Sequence, residues 1–387
     1  MAGPEDSALR RLRYGLTRMT GQVHQEQRRL VLPPLQKKTV DSYGPQIIDI
    51  TDRYLSGWSV GETVDIWRKM RQLTLRNSAA LLFGLQDPLQ VAALGQRIER
   101  LLDRNFSVGV WSCPVNFPGT PYRRLLKEAE ELETVILNCV QESSEREGSD
   151  LLTILIRASK DGNAGMTPAA LVGQITILLA ASYETTTNAL TWTLFLLAQH
   201  PKLMGELQDE LEGALRGGSP TSELLPRMPF LEAVIKESMR ILPPVPFTIR
   251  AAAQSTTLGG IGLRQGDRVI CSHYVTHHMP ELYAEPEIFR PRRWSALDPD
   301  QYQYMPFSAG PRACIGYSFA MQVMKITLSM ILTRFRLILV PGARIDRTVK
   351  ITMSPRYGMP MSIHKQDRRF QAMPVTGNIR QMVDLGQ

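Results

Sequence analysis

The stretch spanning residues 168–200, which contains LVGQITILLAASYETTTNALTWTLFLLAQ, is apolar at nearly every helical turn. A helix of that length measures about 50 Å and is hydrophobic on all sides, so it either crosses a membrane or runs through the centre of a large helical domain. Glu184, Asn188 and the run Thr185, Thr186, Thr187 stand in its middle, where lipid would penalise them. The spacing therefore predicts a long helix through a protein interior, and a chain of 387 residues is large enough to surround it.

Most of the remaining sequence also carries the 3.6-residue period. TVDIWRKMRQLTLRNSAALLFGL, LQVAALGQRIERLL and YRRLLKEAEELETVILNCVQE each repeat apolar residues at helical spacing, and the last follows the breaker FPGTP. MPFLEAVIKESMRIL is a further amphipathic helix, stopped by Pro243 and Pro244. Beyond it the period changes. TTLGGIGLRQGDRVICS predicts a β-hairpin turning near residues 265–267, and FRLILV and ITMSPRYGMPMSIHK predict further short strands. The expected fold is mainly α with small β-sheets. One domain is expected over residues 1–365, followed by a polar, loosely held C-terminal tail over 366–387.

Charge and cysteine content narrow the function. Lys and Arg outnumber Asp and Glu by 45 to 37, but the basic residues are spread along helical faces without interleaved aromatics. That pattern argues against nucleic-acid binding and for docking of an acidic protein partner. The opening MAGPEDSALRRLRYGL lacks the apolar core of a signal peptide, nothing in the sequence reads as a membrane anchor, and the four cysteines have neither zinc spacing nor the look of a secreted disulfide framework. A reducing cytoplasm is expected. Cys113, Cys139 and Cys271 read as small buried hydrophobes. Cys314 differs: in PFSAGPRACIGYSFA it sits between a Gly- and Arg-containing loop and the start of an apolar helix, where partial positive charge favours a thiolate. It is a candidate metal ligand.

Four separated stretches within residues 16–365 together resemble the cytochrome P450 family. FSAGPRACIG matches the family's F-x-x-G-x-R-x-C-x-G at every fixed position. The resemblance implies that Cys314 is the axial thiolate of haem b (iron protoporphyrin IX), that Phe307 packs beside the sulfur and that Gly310 and Gly316 permit the tight loop. Arg312 would meet a haem propionate. KESMR followed by FRPRRW is similar to the family's Glu-x-x-Arg and F-x-P-x-R-W segments, which implies a structural lock between Glu237, Arg240 and Arg293. AASYETTTN is similar to A-G-x-E-T-T: Ala181 would let a flat cofactor lie against the long helix, and Thr185 with Glu184 would deliver protons to oxygen. Ser182 stands where glycine is usual. In GQVHQEQRR, His24 and Arg28 share a helical face and would hold a propionate, as would Arg250 after ILPPVPFTI. His277, in YVTHHMPE, would make a structural hydrogen bond.

The resemblance implies a monooxygenase that inserts one oxygen atom of O2 into a lipophilic small-molecule substrate. Electrons would come from an acidic ferredoxin and its reductase, docking near Arg29, Lys37 and Lys38. Two rivals remain open: a peroxide-using or isomerising haem-thiolate enzyme, and a haem-binding relative without turnover. The family also places on the order of eighty residues before the segment resembling GQVHQEQRR, where this sequence has about twenty. An N-terminally shortened fold with an unpaired sheet edge near residues 259–270 is expected.

Overall fold

Side-chain caps open several helices in the computed structural model, which describes residues 3–162 and 165–386. Ser7 accepts from the Arg10 amide to start α1 (Ala8–Leu12), followed by α2 (Gly21–Val31), α3 (Lys37–Ser42) and α4 (Gly44–Leu55). Strand β1 (Thr63–Asp65) leads into α5 (Ile66–Phe83). Asp87 caps α6 (Pro88–Asn105), α7 (Val108–Ser112) is short, Thr120 caps α8 (Pro121–Glu142) and Asp150 caps α9 (Leu151–Lys160). The long pattern forms one unbroken helix, α10 (Pro168–Gln199), and α11 (Pro201–Leu215) and α12 (Pro229–Ile241) follow. Four strands, β2 (Phe247–Ala251), β3 (Thr256–Leu258), β4 (Ile261–Leu263) and β5 (Arg268–Ser272), precede α13 (His273–His277). The last elements are α14 (Tyr317–Arg334), β6 (Phe335–Leu339), β7 (Arg347–Val349), β8 (Met353–Pro355) and β9 (Pro360–Lys365). The fold is mainly α with small sheets, as expected.

These elements form two compact units. One comprises residues up to Tyr54, Arg71–Glu184 and Ile315–Val323; the other comprises Leu55–Met70, Thr185–Cys314 and residues from Met324 onward. In the first unit, α10 is gripped at Gly173: a Cβ there would lie 2.0 Å from the Tyr14 carbonyl oxygen, so only glycine allows the approach. Gln174, beside it, accepts from the Leu16 amide at 3.0 Å and donates to Gln27 at 2.7 Å.

In the second unit, several of the buried polar residues of α10 find partners. Thr191 and Thr193 donate to carbonyls one turn back, and Asn188 accepts from the Trp67 indole at 2.9 Å. That accounts for polar side chains in an interior helix, and among the described residues no helix is long and apolar enough to cross a membrane. The sheet β1–β9–β6 is antiparallel throughout, with Trp58 against Phe335 and Trp192 donating to the Met353 carbonyl at 3.0 Å.

Three expectations are corrected. The hairpin is β3–β4, turning at Gly259 and Gly260, which both have positive φ and so suit the tight turn; β5 pairs instead with β2. Residues 63–65 leave the helical pattern to add a strand to β9. The tail is docked rather than loosely held: Val375, Ile379, Met382, Val383 and Leu385 are buried, and Asp367 pairs with Arg336. Among the described residues β2–β5 and β3–β4 are each two-stranded.

Candidate functional site

The loop that carries Cys314 is built from the backbone outward. Ser308 and Gly310 both have positive φ (58° and 69°), which reverses the chain twice within three residues. The Cys314 amide then donates to the Phe307 carbonyl at 2.8 Å, and the Ala313 amide to Gly310 at 2.9 Å, closing the loop on itself. Nothing lies within 4 Å of where a Gly310 Cβ would stand, so that side of the loop faces open space. Of the three cysteines expected to be buried only Cys139 is; Cys113 and Cys271 lie on exposed segments, and Cys314 is exposed three residues ahead of α14. Phe307 and Arg312 are half-buried beside it, and Gly316 accepts from the Ala320 amide at the start of α14.

A chain of hydrogen bonds holds this loop from behind, all of it in the second unit. The Glu237 carboxylate accepts from Arg240 Nε and Nη2 (both 3.0 Å), from Arg293 Nε (2.9 Å), from the Trp294 indole (3.0 Å) and from the Arg290 amide (3.0 Å), which is the expected lock with two further donors. Arg240 donates on to the His277 carbonyl at 2.7 Å, and His277 Nε2 accepts from the Met305 amide at 2.9 Å. Met305 in turn accepts from the Ser308 amide at 3.0 Å.

His277 is therefore held neutral. Burial first, then the positive charges of its surroundings, push its pKa down to about 3. The unfolded chain binds that proton more readily, so this contribution to stability is present above pH 6.5 and is lost as pH falls toward 3, by at most about 1.4 kcal/mol per pH unit. In His277→Gln the urea midpoint should fall less between pH 7 and pH 5 than in the wild type. Equal falls would remove His277 from the acid response.

On α10, Ala181 is exposed in the middle of a largely buried helix, which gives a flat group a place to lie. Ser182 turns its hydroxyl back to the Leu179 carbonyl at 2.8 Å, so the residue that replaces the family's glycine presents little more than a methylene. Glu184 and Thr185 are half-buried. Sequence reasoning missed a cation that acts on Glu184. Arg71 of α5 donates to the buried Tyr183 hydroxyl at 3.5 Å, lies 5.8 Å from that ring's centre and pairs with Glu99. Burial opposes the Arg71 charge, but Tyr183, Glu99 and Glu184 outweigh it and raise its pKa. A lone arginine in a helical pattern gives no sequence signal of such a role.

The first unit thus holds His24 (buried) and Arg28 (half-buried) on one face of α2, with Ala181, Glu184 and Gly316; the second holds Thr185, Arg250, Phe307, Gly310, Arg312 and Cys314. Arg250 is exposed on β2, its guanidinium donating to its neighbour's carbonyl at 3.2 Å. Among the described residues no three His, Cys, Asp or Glu side chains cluster to hold a metal. A metal on Cys314 must bring its other donors with it, which fits a porphyrin iron and does not fit a zinc site.

An exposed cysteine on a self-closed loop, with a buried Glu–Arg–Arg lock in the same unit, is the arrangement expected of a haem-thiolate protein. The chain belongs to the cytochrome P450 family: the family described as Cytochrome P450 matches residues 3–359. It is similar to cyclooctat-9-en-7-ol 5-monooxygenase of Streptomyces melanosporofaciens, with 30% identity over 89% of this chain and 77% of that protein. It is similar also to a putative cytochrome P450 120 of Synechocystis, with 29% identity over 90% of this chain and 79% of that one. Among solved structures, retinoic acid-bound cyanobacterial CYP120A1 superposes with a TM-score of 0.82 at 28% identity, covering 92% of this chain and 82% of that chain.

Proposed function

We propose that this P450-type monooxygenase binds haem b, takes electrons from a ferredoxin-type donor and oxidises a lipophilic small molecule in the cytoplasm. The observation that carries the reading is the exposed Cys314 on its self-closed loop. His24, Arg28, Arg250 and Arg312 supply the cations and hydrogen-bond donors that the two propionates would need. The bound haem supplies oxygen activation; the chain's own work is to ligate it, orient the substrate and deliver protons. Glu184 and Thr185, adjacent on α10, are the acid and the alcohol for that delivery, and their retention favours a monooxygenase over a peroxide-using enzyme. Of the similar proteins above, one is named for cyclooctat-9-en-7-ol and one was solved with retinoic acid bound, both hydrocarbon skeletons with an oxygenated group, which supports a lipophilic substrate. Arg29, Lys37 and Lys38 are exposed, although Lys37 already pairs with Asp41 at 2.8 Å, so Arg29 and Lys38 carry most of the attraction for an acidic donor.

The test is oxygen uptake driven by NADPH through a surrogate ferredoxin and reductase. The wild type should consume oxygen and form product from a lipophilic substrate. Thr185→Ala should keep its haem but convert most of the consumed reducing equivalents to hydrogen peroxide, so that product per NADPH falls on the order of tenfold. If product and NADPH use fall in parallel, Thr185 has no part in proton delivery.

A further inference from the structure

The segment 374–385 lies beyond the residues that match the family, and nothing in the proposed chemistry calls for it. It is nevertheless attached to the second unit at both ends. Its first attachment is to the loop after β6: the Gly342 amide donates to the Pro374 carbonyl and the Ile345 amide to the Thr376 carbonyl, both at 2.8 Å, and the Thr376 amide donates to Ala343 at 3.0 Å. Asn378 closes this end. Its amide donates to the Asp346 carboxylate and its side-chain oxygen accepts from the Arg347 amide, both at 2.7 Å.

The second attachment is to the residues that the lock holds. The Asp384 amide donates to the Glu287 carbonyl at 2.9 Å, and Asp384 and Ile288 form a parallel bridge. The same stretch supplies the acceptors for both arginines: Arg240 donates to the Pro286 carbonyl at 2.7 Å, and Arg293 to the carbonyls of Ala284, Glu285 and Ile288 at 2.8, 3.2 and 3.3 Å. Between the two attachments Ile379, Met382 and Val383 are buried, so the segment cannot lift away without exposing apolar surface to water.

Guanidinium groups stay aimed only while their acceptors stay put, and the acceptors at 284–288 are loop carbonyls with no sheet or helix to fix them. We propose that segment 374–385 is a brace for the thiolate loop. By holding Glu287 and Ile288 it keeps the neighbouring carbonyls aimed at Arg240 and Arg293, and through Arg240, His277 and Met305 it fixes the turn at Ser308 that presents Cys314. Asp384 is thus a positioning residue that acts through its amide; its carboxylate turns back to accept from the Gly386 amide at 2.8 Å. The inference rests on the reading of Cys314 as the haem ligand.

The experiment is amide hydrogen exchange on the haem-loaded full chain, read beside the spectrum of its reduced, carbon-monoxide-bound form. In the wild type the amides of Asp384, Met305 and Ser308 should share one opening and show protection equal within about tenfold. Asp384→Pro, which removes the donor to Glu287, should speed exchange at Met305 and Ser308 on the order of tenfold and move part of the thiolate band to that of a neutral sulfur ligand. Asp384→Ala, which keeps the amide and removes the carboxylate, should leave both readouts within about twofold of the wild type. Faster exchange confined to the tail in Asp384→Pro, an unchanged band in that variant, or equal effects of proline and alanine would each overturn the brace. A wild type in which Asp384 exchanges more than about 100-fold faster than Met305 overturns it too, and that result needs no variant to fold. Exchange does not depend on which group ligates the iron, so a wild type without the thiolate band sinks the assignment of Cys314 while the exchange pattern still decides the brace.

Discussion

Cys314→Ser is expected to abolish the thiolate-type band of the reduced, carbon-monoxide-bound protein and to reduce oxygenase turnover to background. An alcohol is not ionised at neutral pH and donates far less electron density to iron than a thiolate does. The loop itself should survive, because its closure uses backbone groups: the Cys314 amide on the Phe307 carbonyl and the Ala313 amide on Gly310. Serine fits the same exposed position without a clash. Far-ultraviolet circular dichroism should therefore match the wild type, while haem content falls and the remaining haem gives the spectrum of a weaker axial ligand. Retention of the thiolate band in Cys314→Ser would overturn the ligand assignment, and an unfolded variant would overturn the argument that the loop closes through its backbone.

The same residues explain what the sequence made legible. FSAGPRACIG could be recognised because each fixed position answers a local demand: positive φ at Gly310, a thiol at Cys314, a cation at Arg312. The long helix was legible because its apolar pattern continues through Thr191 and Thr193, whose hydroxyls donate to a carbonyl one turn back. Pairing between distant strands was not. Gly259–Gly260 and Gly266 are both turn signals, and only tertiary context decides that β5 crosses to β2 rather than closing on β4. The C-terminal tail deceived for a related reason: Val375, Ile379 and Val383 are too sparse among polar residues to announce burial, yet each is buried. Arg71 was invisible because a charged residue on a helical stretch reads as solvated surface. Its role depends on the partners it has in Tyr183 and Glu99.

Glu237→Ala is the substitution expected to cost most in stability, about 3–5 kcal/mol. Glu237 and Arg240 are fully buried and Arg293 nearly so, and one carboxylate neutralises both cations. It also accepts from the Arg290 amide at 3.0 Å and from the Trp294 indole. Alanine would strand two desolvated guanidinium groups and an indole N–H, and the carbonyls of His277, Pro286 and Ala284 that the arginines also contact cannot supply negative charge. A suitable control is Arg368→Ala, which breaks an exposed, solvent-screened pair with Asp209 and Glu212 and should cost far less. Both are compared by urea unfolding of the haem-loaded chain. The damage should also reach the site before global unfolding, because Arg240 holds the His277 carbonyl, His277 holds the Met305 amide, and Met305 holds the turn at Ser308 that precedes Cys314. Glu237→Ala should therefore release haem at a urea concentration below its own unfolding midpoint, whereas in Arg368→Ala the two transitions should coincide. A loss no larger than that of the control would show that the lock is dispensable, and coincident transitions in Glu237→Ala would break the connection from the lock to the thiolate loop.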